Sequence, residues 1–383
     1  MYSIIFLSAL IILLLIILFK QLKITKNAVI TTLLSLIILY FIITPQSCMK
    51  YAIEGAKLFL SAIFPTIFPF MVICNILIAY GGIEIYSKIL GPVLCRPLGI
   101  SKNSTFAIVA SAFCGYPIGA KYSSELYEKD YIDKDEFQRL LNIASNSGPI
   151  FTIGALGATM LGNKYLGMII MLSCYVSAFI IGVLTRKDIV DKSQVPNTDD
   201  NKYRTFGNIL KDAVTDAING ILLIGGYVII FSIIMSIIKY NVLTNMIVSN
   251  LSVHFKNTEN IYGTIIGMLD LTNGCNIIST STMSLPVKVC IISFLCSFGS
   301  LSVVAQVNAF LYKYNINLKK YIILKLLQGV LAAIISLALF LILPIKAATF
   351  SSSSYIITYI SMETIAFILI AALVIIYNLF HVS

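Results

Sequence analysis

Runs of apolar residues on the scale of a bilayer span follow one another through this sequence, at 2–19, 29–44, 64–80, 165–184, 221–238, 285–311, 321–343 and 355–379. Roughly 20 apolar residues of α-helix cross about 30 Å of hydrocarbon. No water is available there to the backbone, so each span must satisfy its own N–H and C=O groups, as a helix does. The fold class that follows is all-α, a polytopic membrane protein. Composition agrees: 58% of residues are hydrophobic and 11% charged, against about a quarter charged in soluble domains.

Several function classes fall away on the same grounds. The net charge of +10 comes from 27 Lys and Arg against 17 Asp and Glu and is the loop bias of a bilayer protein; no basic cluster suggests a nucleic-acid partner. Eight cysteines lie mostly in apolar segments without a Cys-x-x-Cys pair, which marks small core residues rather than metal ligands or disulfides. His254 and His381 are the only histidines, too few for zinc or triad chemistry. No Gly-x-x-x-x-Gly-Lys phosphate loop is present, and a single convincing membrane aspartate does not make a protease pair. The chain reads as a non-enzyme with no cofactor and no metal.

What distinguishes it is where the apolar segments are interrupted. FCGYPIGAK at 113–121 places Gly115, Pro117 and Gly119 within five residues, and proline removes a backbone donor and clashes with the preceding turn. A helix must end there. A second polar interruption, LTNGCN, occupies 271–276. The apolar segments before them, 105–114 and 261–269, are too short to span, so each break is expected to be the tip of a re-entrant hairpin. Asn146-Ser147-Gly148-Pro149 and Ser297-Phe298-Gly299-Ser300 interrupt the next apolar segments in the same way.

The order of features therefore repeats. We expect a two-span N-terminal scaffold at 1–48, a first repeat at 49–185, a cytoplasmic linker at 186–206, a second repeat at 207–343 and a C-terminal span at 344–383. Within this plan 49–63 and 81–102 read as interfacial stretches and 128–139 as a charged loop, with Glu125 and Glu128 solvated. The threading puts most Lys and Arg on one side, including Arg186, Lys187, Lys192, Lys202 and Arg204, as inner loops require. It also gives the repeats opposite orientation, a plan shared by many secondary transporters.

Four broken helices place short helix ends near the middle of the bilayer, where amino ends favour anions and unwound carbonyls favour cations. The candidate substrate contacts are Gly115, Tyr116, Gly119, Asn146, Ser147, Gly148, Thr272, Asn273, Gly274, Asn276, Ser297 and Gly299. Glycine and serine at such positions also serve close helix packing. Lys121 is expected to meet a substrate anion and Asp270 to hold a coupling cation or proton, since ionisable groups inside a membrane mark functional sites.

GYPIGAK at 115–121, RLLNIASNSGPIF at 139–151 and LDLTNGC at 269–275 resemble the YlbJ-type (SpoVV) sporulation integral membrane proteins over roughly 50–311. That resemblance implies two nucleoside-recognition, or Gate, domains and a fold like that of concentrative nucleoside transporters. It also implies an endospore-former, residence in the outer forespore membrane, and movement of dipicolinic acid from the mother-cell cytosol. Asp270 stands where the family often has Glu, which keeps a carboxylate there. Two other functions remain open: transport of nucleosides or another small metabolite, and a non-transporting role in spore-envelope assembly. The partners expected are the lipid bilayer and a small anion, with a homo-oligomer left open.

Overall fold

The computed structural model describes residues 25–187, 205–240 and 258–343, all within one compact unit. The predicted spans at 2–19 and 355–379, most of the linker and most of the stretch 239–257 lie outside the described residues. Among those described there is helix and no strand. The helices are α1 (Lys26–Ile43), α2 (Pro45–Leu58), α3 (Phe64–Ala79), α4 (Gly82–Ile89), α5 (Gly91–Leu98), α6 (Thr105–Cys114), α7 (Ile118–Glu128) and α8 (Lys134–Ile143). A π-wound segment, Ile150–Met160, precedes α9 (Lys164–Leu184). The second half holds α10 (Phe206–Tyr240), α11 (Thr258–Leu269), α12 (Leu271–Thr280), α13 (Leu285–Phe298), α14 (Ser300–Leu311) and α15 (Leu318–Ile342).

Among the described residues, four stretches are long and apolar enough to cross a membrane: Lys164–Leu184, Phe206–Met235, Leu285–Leu311 and Leu318–Ile342. Two sharply bent helix pairs, at 102° and 87°, raise the number to as many as six. The lipid-facing sides stay apolar, with Ile334, Leu341 and Ile342 of α15 among the exposed large side chains. The order of elements in the first half returns in the second. The α2–α3 rod matches α10, the α6–α7 hairpin matches α11–α12, the broken pair of α8 and the π segment matches α13–α14, and α9 matches α15.

Residues 49–63 do not form a separate interfacial helix, as the sequence suggested. A π turn, Phe59–Ile63, joins α2 to α3, and the resulting rod packs along α10. Gly55 lets the two meet, since a Cβ there would lie 2.7 Å from Ser232 Oγ. The charges at 50, 54 and 57 misled the reading, because they occupy one side of a helix whose other side buries Cys48, Gly55 and Phe59.

The expected charged loop at 128–139 is also shorter than predicted. Asp133 accepts a hydrogen bond from the Glu136 backbone N–H at 2.8 Å and caps α8, an arrangement that typically adds about 1 kcal/mol. Glu136 is buried, and its Oε1 accepts from the backbone and hydroxyl of Ser101, both at 2.7 Å, and from Ser104 Oγ at 2.6 Å. Arg139 donates to the carbonyls of Leu98 and Gly99 at 2.6 and 2.7 Å, where the negative end of α5 welcomes a cation. These charges tie α8 to α5 instead of facing water. Nearby, exposed Lys187 donates to Asp135 at 2.8 Å and by that bond and its charge holds the Asp135 carboxyl below its ordinary range.

The LTNGCN segment is helical rather than broken. The chain leaves helix geometry at Asp270, with φ −138° and ψ 115°, and its side chain accepts from the Asn273 backbone N–H at 3.2 Å, so α12 starts immediately after it. Gly274 serves packing: a Cβ there would lie 2.0 Å from Gly267 Cα, so only glycine lets α11 and α12 fold against each other. We expect Gly274→Ala to cost at least about 1–3 kcal/mol from overpacking, seen as a lower melting temperature or lost monodisperse protein in detergent. Gly226→Ala, where nothing lies within 4 Å of the added carbon, should leave both unchanged.

Candidate functional site

The amino ends of four helical segments meet at one cavity of about 260 Å³, just under the roughly 300–1,000 Å³ usual for small-ligand sites. Tyr116 and Pro117 bring the start of α7, Gly148 and Ile150 the start of the π segment, and Asp270 to Asn273 the start of α12. Ser302 and Val303 bring the first turn of α14. Ile224, Val228, Phe231 and Ser232 of α10 and Leu58, Ile63 and Ile67 of the α2–α3 rod close the remaining walls. Unpaired N–H groups in a first helical turn carry partial positive charge. The wall holds no Lys, Arg or His among the described residues, and Asp270 is its one carboxylate.

The first break touches two of the others directly. Gly115 has φ +79°, which glycine adopts freely, and a Cβ on it would lie 2.5 Å from the Gly148 backbone nitrogen. The two breaks therefore cross backbone to backbone. Tyr116 OH shares a 2.7 Å hydrogen bond with Ser147 Oγ and donates to the Cys296 carbonyl at 3.3 Å, reaching the end of α13 beside the fourth break. Tyr175 OH of α9 donates to the carbonyls of Ala112 at 2.7 Å and Ser147 at 3.2 Å. The peptide between Tyr116 and Pro117 is cis.

Of the residues named from sequence, Tyr116, Ser147, Gly148, Asp270, Thr272 and Asn273 line this cavity, so tips far apart in the chain border one cavity. Gly115 lies behind it in the crossing with Gly148. Gly119 sits inside α7 against Ala144, and Gly274 and Asn276 sit inside α12. Ser297 is buried in α13 and shares a hydrogen bond with Ser177 of α9 at 3.2 Å. Gly299, at φ +92°, is the fourth break itself, with Tyr116 Cε1 3.7 Å from where its Cβ would be. Asn146 turns away from the cavity, donating to the Ile143 carbonyl at 2.7 Å and accepting from Gln328 at 2.8 Å.

Lys121 is not on the cavity wall. Its ammonium forms an ion pair with Glu125, one turn on, donates to Asn75 Oδ1 at 3.4 Å and lies 4.4 Å from the Tyr122 ring centroid. Glu125, expected in solvent, is the partner that neutralises it. Glu128 accepts from Tyr314 OH at 3.1 Å, and that hydroxyl is pushed up to about 12, by burial first and then by Glu128.

Sequence reasoning passed over Gln306 and Phe231 on the wall, which carry no signal beyond a polar or aromatic residue in an apolar run. It also missed Lys325, which is 1% exposed in the interior of α15. The available sign was a lone lysine well inside a span, with a glutamine one turn later.

Residues 60–186 match the Gate family, described as nucleoside recognition; they hold the first two breaks. The chain is similar to the sporulation integral membrane protein YlbJ of Bacillus subtilis (strain 168), at 27% identity over 317 residues, 76% of this chain and 77% of that protein. Among solved structures it is similar to a doubly substituted CNTnw in an outward-facing state, at 14% identity and a TM-score of 0.45, covering 78% of this chain and 85% of that one. The chain thus carries a Gate nucleoside-recognition match at 60–186 and is similar, over about three quarters of its length, to the sporulation integral membrane protein YlbJ.

Proposed function

We propose that this protein is a transporter that moves dipicolinic acid from the mother-cell cytosol across the outer forespore membrane during sporulation. The observation that carries the reading is the meeting of four helix amino ends at one small cavity inside a membrane protein. A planar aromatic dianion suits such a place: the positive ends of the helices and the polar side chains of Thr272 and Asn273 lie on the wall, and Phe113, Phe151 and Phe231 offer apolar faces. The likeness to a relative named as a sporulation integral membrane protein supports the sporulation context.

Asp270 gives the mechanism its charge balance. No basic side chain on the described wall offsets a dianion, and two like charges in a site of low dielectric repel strongly. Asp270 therefore takes up a proton or a cation when the anion binds, which couples the two. Alternating access follows if the repeats are inverted and one rocks against the other around this fixed site.

A second reading, transport of nucleosides or a similar neutral metabolite, is favoured by one feature, the absence of a basic side chain on that wall, and by the description of the Gate family. Uptake of labelled dipicolinate into proteoliposomes separates the two. Dipicolinate uptake that excess unlabelled dipicolinate abolishes and excess uridine does not supports the first reading; uptake of labelled uridine with no uptake of dipicolinate selects the nucleoside reading. No uptake of either under any ion gradient would leave the role in spore-envelope assembly.

In the same assay Tyr116→Phe, Asp270→Asn and Asn273→Ala should each lower uptake by about tenfold or more, the loss of one or two charge-assisted hydrogen bonds, with membrane levels unchanged. The joint variant Lys121→Met/Glu125→Leu, which removes an ion pair outside the cavity, should keep most uptake. Wild-type rates in all three wall variants would show that this cavity is not the site.

A further inference from the structure

Lys325 poses a problem that the cavity does not answer. Its side chain is buried in α15, and among the described residues no carboxylate pairs with it. Burying an ammonium without an opposite charge is costly unless each N–H finds an acceptor. Three oxygens surround Nζ: the Ser145 carbonyl, Gln328 Oε1 at 2.8 Å and Asn146 Oδ1 at 3.4 Å. An ammonium has three donors, so the set is complete.

All the acceptors are neutral, and two belong to the unwound stretch just past the carboxyl end of α8. The last carbonyls of a helix carry partial negative charge, and unwound carbonyls and amide oxygens inside a membrane are the ligands that strip and hold a small cation. Gln328 completes the frame from the same helix as the lysine: its Nε2 donates to Asn146 Oδ1 at 2.8 Å and to the Cys174 carbonyl at 3.3 Å. Tyr321, one turn before Lys325, shares a 2.9 Å bond with Ser145 Oγ, and its carbonyl accepts from Asn142 at 3.1 Å. The next residues along, Ser147 and Gly148, are on the cavity wall.

We propose that the Lys325 ammonium is a tethered monovalent cation: it fills, from α15, the oxygen cage made where the chain unwinds after α8, and so fixes Ser147 and Gly148 on the cavity wall without an exchangeable metal ion. The second break is thus insensitive to the choice of alkali cation, whichever solute the cavity takes.

Thermal unfolding of the purified full-length protein in detergent tests this without any solute in the cavity, comparing choline, sodium, potassium and methylammonium chloride. Wild type should melt at one temperature in all four salts. Lys325→Ala vacates both stem and charge; it should melt lower in choline and recover saturably with methylammonium or sodium, by about 2 °C at ten times the dissociation constant. Lys325→Met fills the stem without charge, so it should melt lower and gain nothing from any cation. Wild-type stability in Lys325→Met would overturn the proposal, as would a Lys325→Ala protein that no cation improves or recovers. A saturable effect of sodium on wild type that Asn146→Ala abolishes would overturn it independently of how either lysine variant folds.

Discussion

A helix that stops inside a membrane exposes backbone groups that lipid cannot satisfy, and the structure is arranged around answering that demand four times. The answers are reciprocal. Tyr116 at the first break serves the Cys296 carbonyl near the fourth, and Lys325 serves the Ser145 carbonyl at the second. Asn146 returns to the Ile143 carbonyl, and Asp270 takes the Asn273 N–H of the helix it begins. The first and second breaks are thus joined to distant parts of the chain, while Asp270 completes the third from within its own helix. A cavity between them, largely apolar with polar groups at the helix ends, is the geometric result of packing four such ends together.

The buried charges follow the same economy with different means. Lys121 is neutralised within its own helix by Glu125. Glu136 collects three donors on one oxygen, and Arg139 faces two carbonyls at a helix end. Lys325, like Arg139, relies on neutral oxygens. Buried charges add little net stability, but each of these fixes the relative position of two elements that apolar contact would let slide.

How much was legible in the sequence depended on what each residue type could mean. Pro117 and Gly115 admit one explanation, and the ten-residue helix 105–114 and the break after it stand where they were expected. Glycine in LTNGCN was ambiguous: Gly274 marks a helix crossing rather than a turn, and the break belongs to Asp270, whose capping role a carboxylate in a short polar stretch does announce. Residues 134–139 read as loop because charge suggests water until a partner is known, and the partners Ser101 and Ser104 are some 30 positions away. Lys325 was invisible for a related reason. A long side chain in a span is ordinarily read as reaching for the interface, and only its neighbours across 180 residues show that it does not.

The Tyr175 hydroxyl bonds at once to Ala112, two residues before the end of α6, and to Ser147 in the second break. A single phenol oxygen therefore sets the gap between two chain reversals that border the cavity. The α9 phenol is thus the point at which the end of α6 and the second break are referred to the same long helix.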